Sequence, residues 1–377
     1  MTHSVLVNLL WCVPGGVGGS EEYLVRQLLG LAEQNEQGEH AGPSGPEWNV
    51  RVAAARGLSQ AHPELRAVAE MVEPEFGSHG RARRVLGEVT WLRRHTRGVD
   101  LVHHGGGTAP VGAHRPYVLT IHDLQFLTYP QYFSRLKRSY LAAVIPSSAR
   151  RAAVVAVPSE YVRDRVVAEY GVANDRVHVV PHGIEPALAG HVTPPDELRS
   201  RYSLGDGPLL VYPAITHPHK RHDFLLAMMR DHWRDPDLRL VLTGGKGLAD
   251  ASVAAACTDP RVCRLGRVPA ADRNGLLAMA HAMVFPSEYE GFGAPLIEAM
   301  TLGCPVVASD ATCVPQVVGE AGLVRPLRAD AWATVLDEVG ARREALVASG
   351  LQRARLFTSR ASGAALSAAY TAALGRA

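Results

Sequence analysis

The chain has 377 residues, 47% of them hydrophobic, with a formal net charge of +2, which suits two α/β domains and gives no electrostatic case for nucleic acid. Five cysteines, at 12, 257, 263, 304 and 313, are odd in number and lack CxxC spacing, which argues against a disulfide framework and a zinc site. No run of 18 apolar residues reads as a membrane span, and residues 1–10 lead into a glycine-rich loop without a small-residue cleavage site, so the expected location is the cytoplasm. In chain order, apolar runs at 5–10, 52–55, 101–103, 117–121, 154–157 and 177–180 alternate with helical or loop segments and predict one parallel-sheet domain. Residues 34–47, polar with Gly and Pro, predict a surface loop. Prolines 186, 194 and 195 mark a linker, after which runs at 209–212, 238–243, 262–265, 283–285 and 306–308 predict a second domain of the same kind. The fold class is therefore α/β, two doubly wound Rossmann-like domains facing across a cleft, over 1–184 and 185–357, with a helical tail at 358–377.

Four segments carry chemistry. The first strand ends in Pro14-Gly15-Gly16-Val17-Gly18-Gly19-Ser20-Glu21, where glycines let backbone amides approach a ligand. A dinucleotide fingerprint would need a third glycine where Glu21 stands, so that reading fails. His122 and Asp123 follow the apolar run at 117–121, at the carboxyl end of a strand, where open α/β sheets bind ligands. Lys220, in Thr216-His217-Pro218-His219-Lys220-Arg221, is one of three lysines, with 137 and 246, in a chain whose other cations are arginines, and a compact ammonium suits a pyrophosphate. The most informative stretch is Ser287-Glu-Tyr-Glu-Gly-Phe-Gly-Ala-Pro-Leu-Ile-Glu-Ala-Met-Thr-Leu-Gly-Cys-Pro-Val-Val-Ala-Ser-Asp310. Pro295 reads as the first helical residue and Gly303 as the stop, so a helix start faces the loop Gly291-Phe292-Gly293 and favours a phosphate. Glu290 and Glu298 flank it and can accept hydrogen bonds from hydroxyls.

The Glu-x7-Glu spacing with Gly-Phe-Gly, Glu-Ala-Met and Gly-Cys-Pro-Val-Val in register resembles the donor-sugar motif of family-4 retaining glycosyltransferases of the GT-B fold. The resemblance implies a sugar-orienting role for Glu290 and a ribose contact for Glu298. It implies contacts to the donor by Gly291, Phe292, Gly293 and the helix start near Leu296. His122, with Asp123 beside it, would reach the donor sugar, and Gly15-Gly16 would lie at the donor phosphates, Gly16 closest. Lys220 would neutralise the departing nucleoside diphosphate, and backbone groups near Val268 would read the base. Glu290, His122 and Lys220 form the implied catalytic set. One departure stands out: most members carry an arginine about five residues before the lysine, where this chain has Ile215, leaving His217, His219 or Arg221 as substitutes or the second cation missing. The last helix of the family crosses back onto the first domain, and residues 361–374 carry an apolar face suited to that.

The implied reaction is transfer of a hexosyl group from a nucleotide diphosphate sugar with retention, without a cofactor or metal; no Asp-x-Asp motif follows a strand. The Pro-His-Lys variant looks most like mannosyltransferases that use GDP-mannose. The acceptor expected from this resemblance is a saccharide or a lipid-linked saccharide in cell-envelope glycan synthesis. Arg81 to His95 places Val85, Leu86, Val89 and Leu92 at helical spacing between arginines, and two readings stay open, a surface helix packed on the first domain or a peripheral contact with anionic lipid at the cytoplasmic membrane face. Arginines in 134–151 raise the same pair of readings. A nucleotide-sugar 2-epimerase and a non-catalytic sugar-nucleotide binder are the rival functions.

Overall fold

A computed structural model describes residues 2–15, 18–41, 46–75, 80–114 and 116–376. The chain divides into two compact units, Met1–Gly183 with Thr358–Ala377, and Ile184–Phe357. The first holds seven parallel strands: β1 (Thr2–Leu9), β2 (Glu47–Ala54), β3 (Glu70–Val72), β4 (Leu101–His104), β5 (Tyr117–Thr120), β6 (Val154–Val157) and β7 (Val177–Val179). Their order in the sheet is β3-β2-β1-β4-β5-β6-β7. Every residue of β4, β5 and β6 is buried, because helices cover both faces, which is why these strands read as unbroken apolar runs. The chain leaves β1 toward β2 and later returns on its other side to β4, so the switch in strand order falls between the carboxyl ends of β1 and β4.

The second unit repeats the scheme with β8 (Leu209–Pro213), β9 (Arg239–Thr243), β10 (Val262–Gly266), β11 (Ala282–Phe285), β12 (Val306–Ser309) and β13 (Leu323–Arg325). Its order is β10-β9-β8-β11-β12-β13, all parallel, with the switch between β8 and β11.

Two helices of the first unit lie against each other closely. Gly19–Ala41 meets the last helix, Ser359–Leu374, at two glycines: a Cβ on Gly30 would sit 1.8 Å from the Ser359 carbonyl oxygen, and one on Gly363 2.1 Å from the Gly30 carbonyl carbon. The last helix starts on Thr358, whose hydroxyl accepts the Ala361 amide at 3.1 Å. It is fastened to the sheet by Tyr370 Oη to His103 Nδ1 at 2.8 Å, and Trp48 Nε1 donates to Ser367 Oγ at 2.8 Å.

Three expectations need correction. The helix Gly19–Ala41 continues through most of the stretch expected as a loop at 34–47, because Glu33, Gln34, Glu36, Gln37 and Glu39 are good helix formers and outweigh Gly38. The amphipathic segment at 81–95 is two helices, Arg81–Val89 and Trp91–His95, interrupted at Thr90. Leu92 is buried there, while Leu86 is 63% and Val89 41% exposed, so the apolar stripe is only partly packed. The edge strands β3 and β13 went unpredicted because three residues are too few to show a period.

Adding a methyl group at Gly363 should force the two helices apart. Gly363→Ala is expected to destabilise the first unit by about 2 kcal/mol or more, read as a lower thermal midpoint; an unchanged midpoint would refute the close packing. Burial also pushes His103 and His104 down to about 3, so both are neutral in the native state and take up protons on unfolding. Their contribution is present above the ordinary imidazole value near 6.5 and is lost as pH falls from there toward about 3. Denaturant midpoints should therefore fall steadily below pH 6.5, and constancy down to pH 5 would contradict this.

Candidate active site

In the second unit the parallel pairing of β11 with β8, Ala282 opposite Leu210 and Met283 opposite Val211, brings together two loops some seventy residues apart in sequence. From the β8 side, the turn Pro218–Lys220 ends on Arg221 in the left-handed region, φ 51°. From the β11 side comes Glu290. Lys220 Nζ donates to Glu290 Oε1 at 2.5 Å, with the two side chains 16% and 12% exposed. The ammonium also lies 5.7 Å from the centroid of the Phe285 ring.

Both partners are held through their backbones. Tyr212 Oη donates to the Lys220 carbonyl at 2.8 Å. The Glu290 amide donates to Thr312 Oγ1 at 3.1 Å, and Cys313 Sγ approaches the Glu290 carbonyl at 3.3 Å. Thr312 has φ 53°, a conformation that costs a β-branched residue energy and persists because the surrounding contacts demand it. The two loops are tied directly by the Glu288 amide, which donates to the His219 carbonyl at 2.8 Å. Thr312, Tyr212 and Cys313 were missed by sequence reasoning, since a threonine three residues after a strand carries no distinguishing pattern.

Gly291-Phe292-Gly293 then enters the helix Ala294–Thr301. Gly293, φ 85°, is its N-cap, in a conformation that glycine adopts without strain. Phe292 is buried edge-on to Phe357, centroids 5.5 Å apart. The Leu296 amide donates to the Gly293 carbonyl at 2.9 Å and Pro295 has none, so Leu296 contributes packing at the helix start. Glu298 is buried one turn in, 3.8 Å from Arg273 Nη1. Val268 follows β10, half-buried, at the same carboxyl edge of the sheet.

The stand-ins for the arginine missing at Ile215 fare differently. Burial and the neighbouring Lys220 charge push His219 down to about 3, and burial lowers His217, so neither supplies a cation at neutral pH. Arg221 is paired with Asp223 at 3.0 Å and also with Glu288. Lys246 is exposed on its loop. Arg267, unnoticed in the sequence, lies beside the turn that follows β9, its Nε 3.1 Å from where a Cβ of Gly245 would be.

In the first unit, His122 follows β5. Its Nε2 lies 2.8 Å from the Gly105 carbonyl, which can only accept, so the proton resides on Nε2 and Nδ1 is an acceptor. Trp11 and Tyr23 flank the ring at 5.6 and 5.3 Å between centroids, and desolvation pushes it down to about 4. Asp123 is exposed, with Oδ1 accepting the Gln125 amide at 2.9 Å in a turn. Gly15, φ 67°, donates its amide to the Glu21 carboxylate at 2.9 Å. Glu21 is buried and accepts from His62 Nε2 at 2.9 Å, while His62 Nδ1 meets Glu64 at 3.0 Å. Burial opposes a charge on His62, but these two carboxylates outweigh it and raise its pKa. This Glu21–His62 support was not foreseen, because 41 residues separate its partners. Gly16 lies outside the described residues.

Residues 17–188 match Glycosyltransferase Family 4 and residues 207–340 match Glycosyl transferases group 1. The chain thus carries a Glycosyltransferase Family 4 domain followed by a Glycosyl transferases group 1 domain. It is 29% identical over 276 residues to O-antigen chain mannosyltransferase B of Escherichia coli, covering 69% of this chain and 71% of that one. It is 25% identical over 231 residues to the O-antigen chain mannosyltransferase RfbU of Salmonella typhimurium, covering 60% and 61%. The crystal structure of Anabaena HepE in complex with UDP and glucose superposes with a TM-score of 0.72 at 18% identity, over 98% of this chain and 99% of that one. That likeness establishes the GT-B fold.

Proposed function

We propose that the protein is a retaining hexosyltransferase that moves a mannosyl group from GDP-mannose to a saccharide or lipid-linked saccharide acceptor in cell-envelope glycan synthesis. The observation that carries this reading is the Lys220–Glu290 pair at the switch in strand order of the second unit. A nucleoside diphosphate brings negative charge that replaces Glu290 as the counter-ion of Lys220, which leaves the carboxylate to accept hydrogen bonds from sugar hydroxyls. As the glycosidic bond breaks, charge builds on the β-phosphate, and a fixed ammonium that stabilises it contributes about 2–4 kcal/mol. His122, neutral with Nδ1 as acceptor, serves to bind a hydroxyl and not to donate a proton. The mannosyltransferase relatives support mannose as the sugar and an envelope glycan as the product. We assign the reaction no metal and place it in the cytoplasm. The exposed Leu86, Val89 and Val111 beside Arg83, Arg93 and Arg94 support a peripheral contact with anionic lipid.

Removing each member of the pair should have opposite consequences. Lys220→Ala leaves Glu290 facing the phosphates and should weaken nucleoside diphosphate binding by roughly a hundredfold. Glu290→Ala frees the ammonium, so binding should hold or tighten while transfer is lost; the reverse pattern would overturn the assignment. Calorimetric titration with GDP, UDP, dTDP and ADP in EDTA tests the donor: GDP alone binding tightly supports GDP-mannose, another nucleotide replaces it, and a requirement for added Mg²⁺ removes the metal-independent scheme.

A further inference from the structure

At the opposite edge of the first sheet lies a cavity of about 550 Å³ lined by Pro116, Tyr117, Ala152 and Ala153 and by Arg150, Arg151, Arg176 and Arg376. Apart from Arg376, which follows the last helix, these residues precede or begin β5, β6 and β7, so the cavity opens at the amino ends of these strands, and His122 follows the carboxyl end of β5. Of the four guanidiniums, one has a carboxylate partner: Arg376 pairs with Asp175 at 2.7 Å. Arg150 donates through Nε to the Tyr170 carbonyl at 2.9 Å, and Arg151 through Nε to the Ser147 carbonyl at 3.1 Å. Arg176 donates through Nη2 to the carbonyls of Arg150, at 2.9 Å, and Ala152. Among the described residues no carboxylate pairs with Arg150, Arg151 or Arg176. Carbonyls at the ends of helices Arg135–Arg151 and Glu160–Tyr170 take one nitrogen of each of these arginines, and these contacts leave the other guanidinium nitrogens unengaged.

We propose that this cavity binds a phosphate-bearing anion with at least two negative charges, a second anion site separate from the donor site. Four guanidiniums against one carboxylate leave an excess of positive charge that an anion would neutralise. Arg150 and Arg151, anchored by their Nε atoms, keep both Nη atoms for a fork, the arrangement that binds phosphate oxygens in pairs. The volume admits a pyrophosphate, a phosphorylated sugar or a lipid headgroup.

The probe is inorganic pyrophosphate, titrated into the full chain carrying Lys220→Ala so that the donor site does not report. One equivalent should bind at millimolar pyrophosphate, and Arg150→Gln with Arg151→Gln should weaken it by roughly tenfold or more. Arg151→Gln alone, which disturbs only a contact within its own helix, should give a smaller loss with unchanged thermal unfolding. Vesicles of phosphatidylglycerol and phosphatidylcholine distinguish the source: displacement of pyrophosphate by these vesicles identifies a headgroup, and its absence a free phosphate ester. No binding to the Lys220→Ala protein, or binding indifferent to the arginine substitutions, overturns the site. Neither outcome bears on GDP binding by the unaltered chain, so this site and the donor assignment fail separately.

Discussion

A lysine and a glutamate held 2.5 Å apart with little solvent around either set the terms for the second unit. Each charge alone would be costly at that depth, and together they are tolerable. Because neither is compensated by a second partner of opposite sign in that contact, the pair remains exchangeable: an incoming diphosphate offers the ammonium a doubly charged replacement. This requires that both side chains stay in place whether or not they are paired. The backbone supplies that restraint. Tyr212 and Thr312 hold the two loops by their main chains, so displacement of one side-chain contact does not release the loop.

The strand order explains why the pair can exist at all. Helices that cross from one parallel strand to the next normally carry each loop away toward one side of the sheet. At β8 and β11 consecutive loops diverge in opposite directions, opening a gap at the carboxyl edge into which Lys220 and Glu290 both reach. The first unit has the same gap between β1 and β4, occupied by the Gly15 turn and the Gly105 carbonyl that orients His122.

Much of this was legible in the sequence, for a specific reason. Strands buried on both faces appear as continuous apolar runs, so β4, β5, β6, β11 and β12 were found within a residue or two. Lys220, Glu290 and Glu298 stood out by residue type and register. What stayed hidden depends on contacts between distant segments: Glu21 with His62, Thr312 with Glu290, Gly30 with Gly363. A polar residue whose partner is far along the chain leaves no periodic trace. The helix through Gln34 was hidden differently, because a polar, glycine-containing composition resembles a loop although its glutamates and glutamines are helix formers.

The two edges of the first sheet use cations and polar groups in contrasting ways. At the carboxyl edge, His122 is uncharged and Gly15 offers its amide to a carboxylate, so binding there depends on neutral hydrogen-bond geometry. At the amino edge, four arginines meet one aspartate. A sheet whose strands all run the same way makes such separation simple, because the direction of the chain alone assigns each loop to one edge or the other.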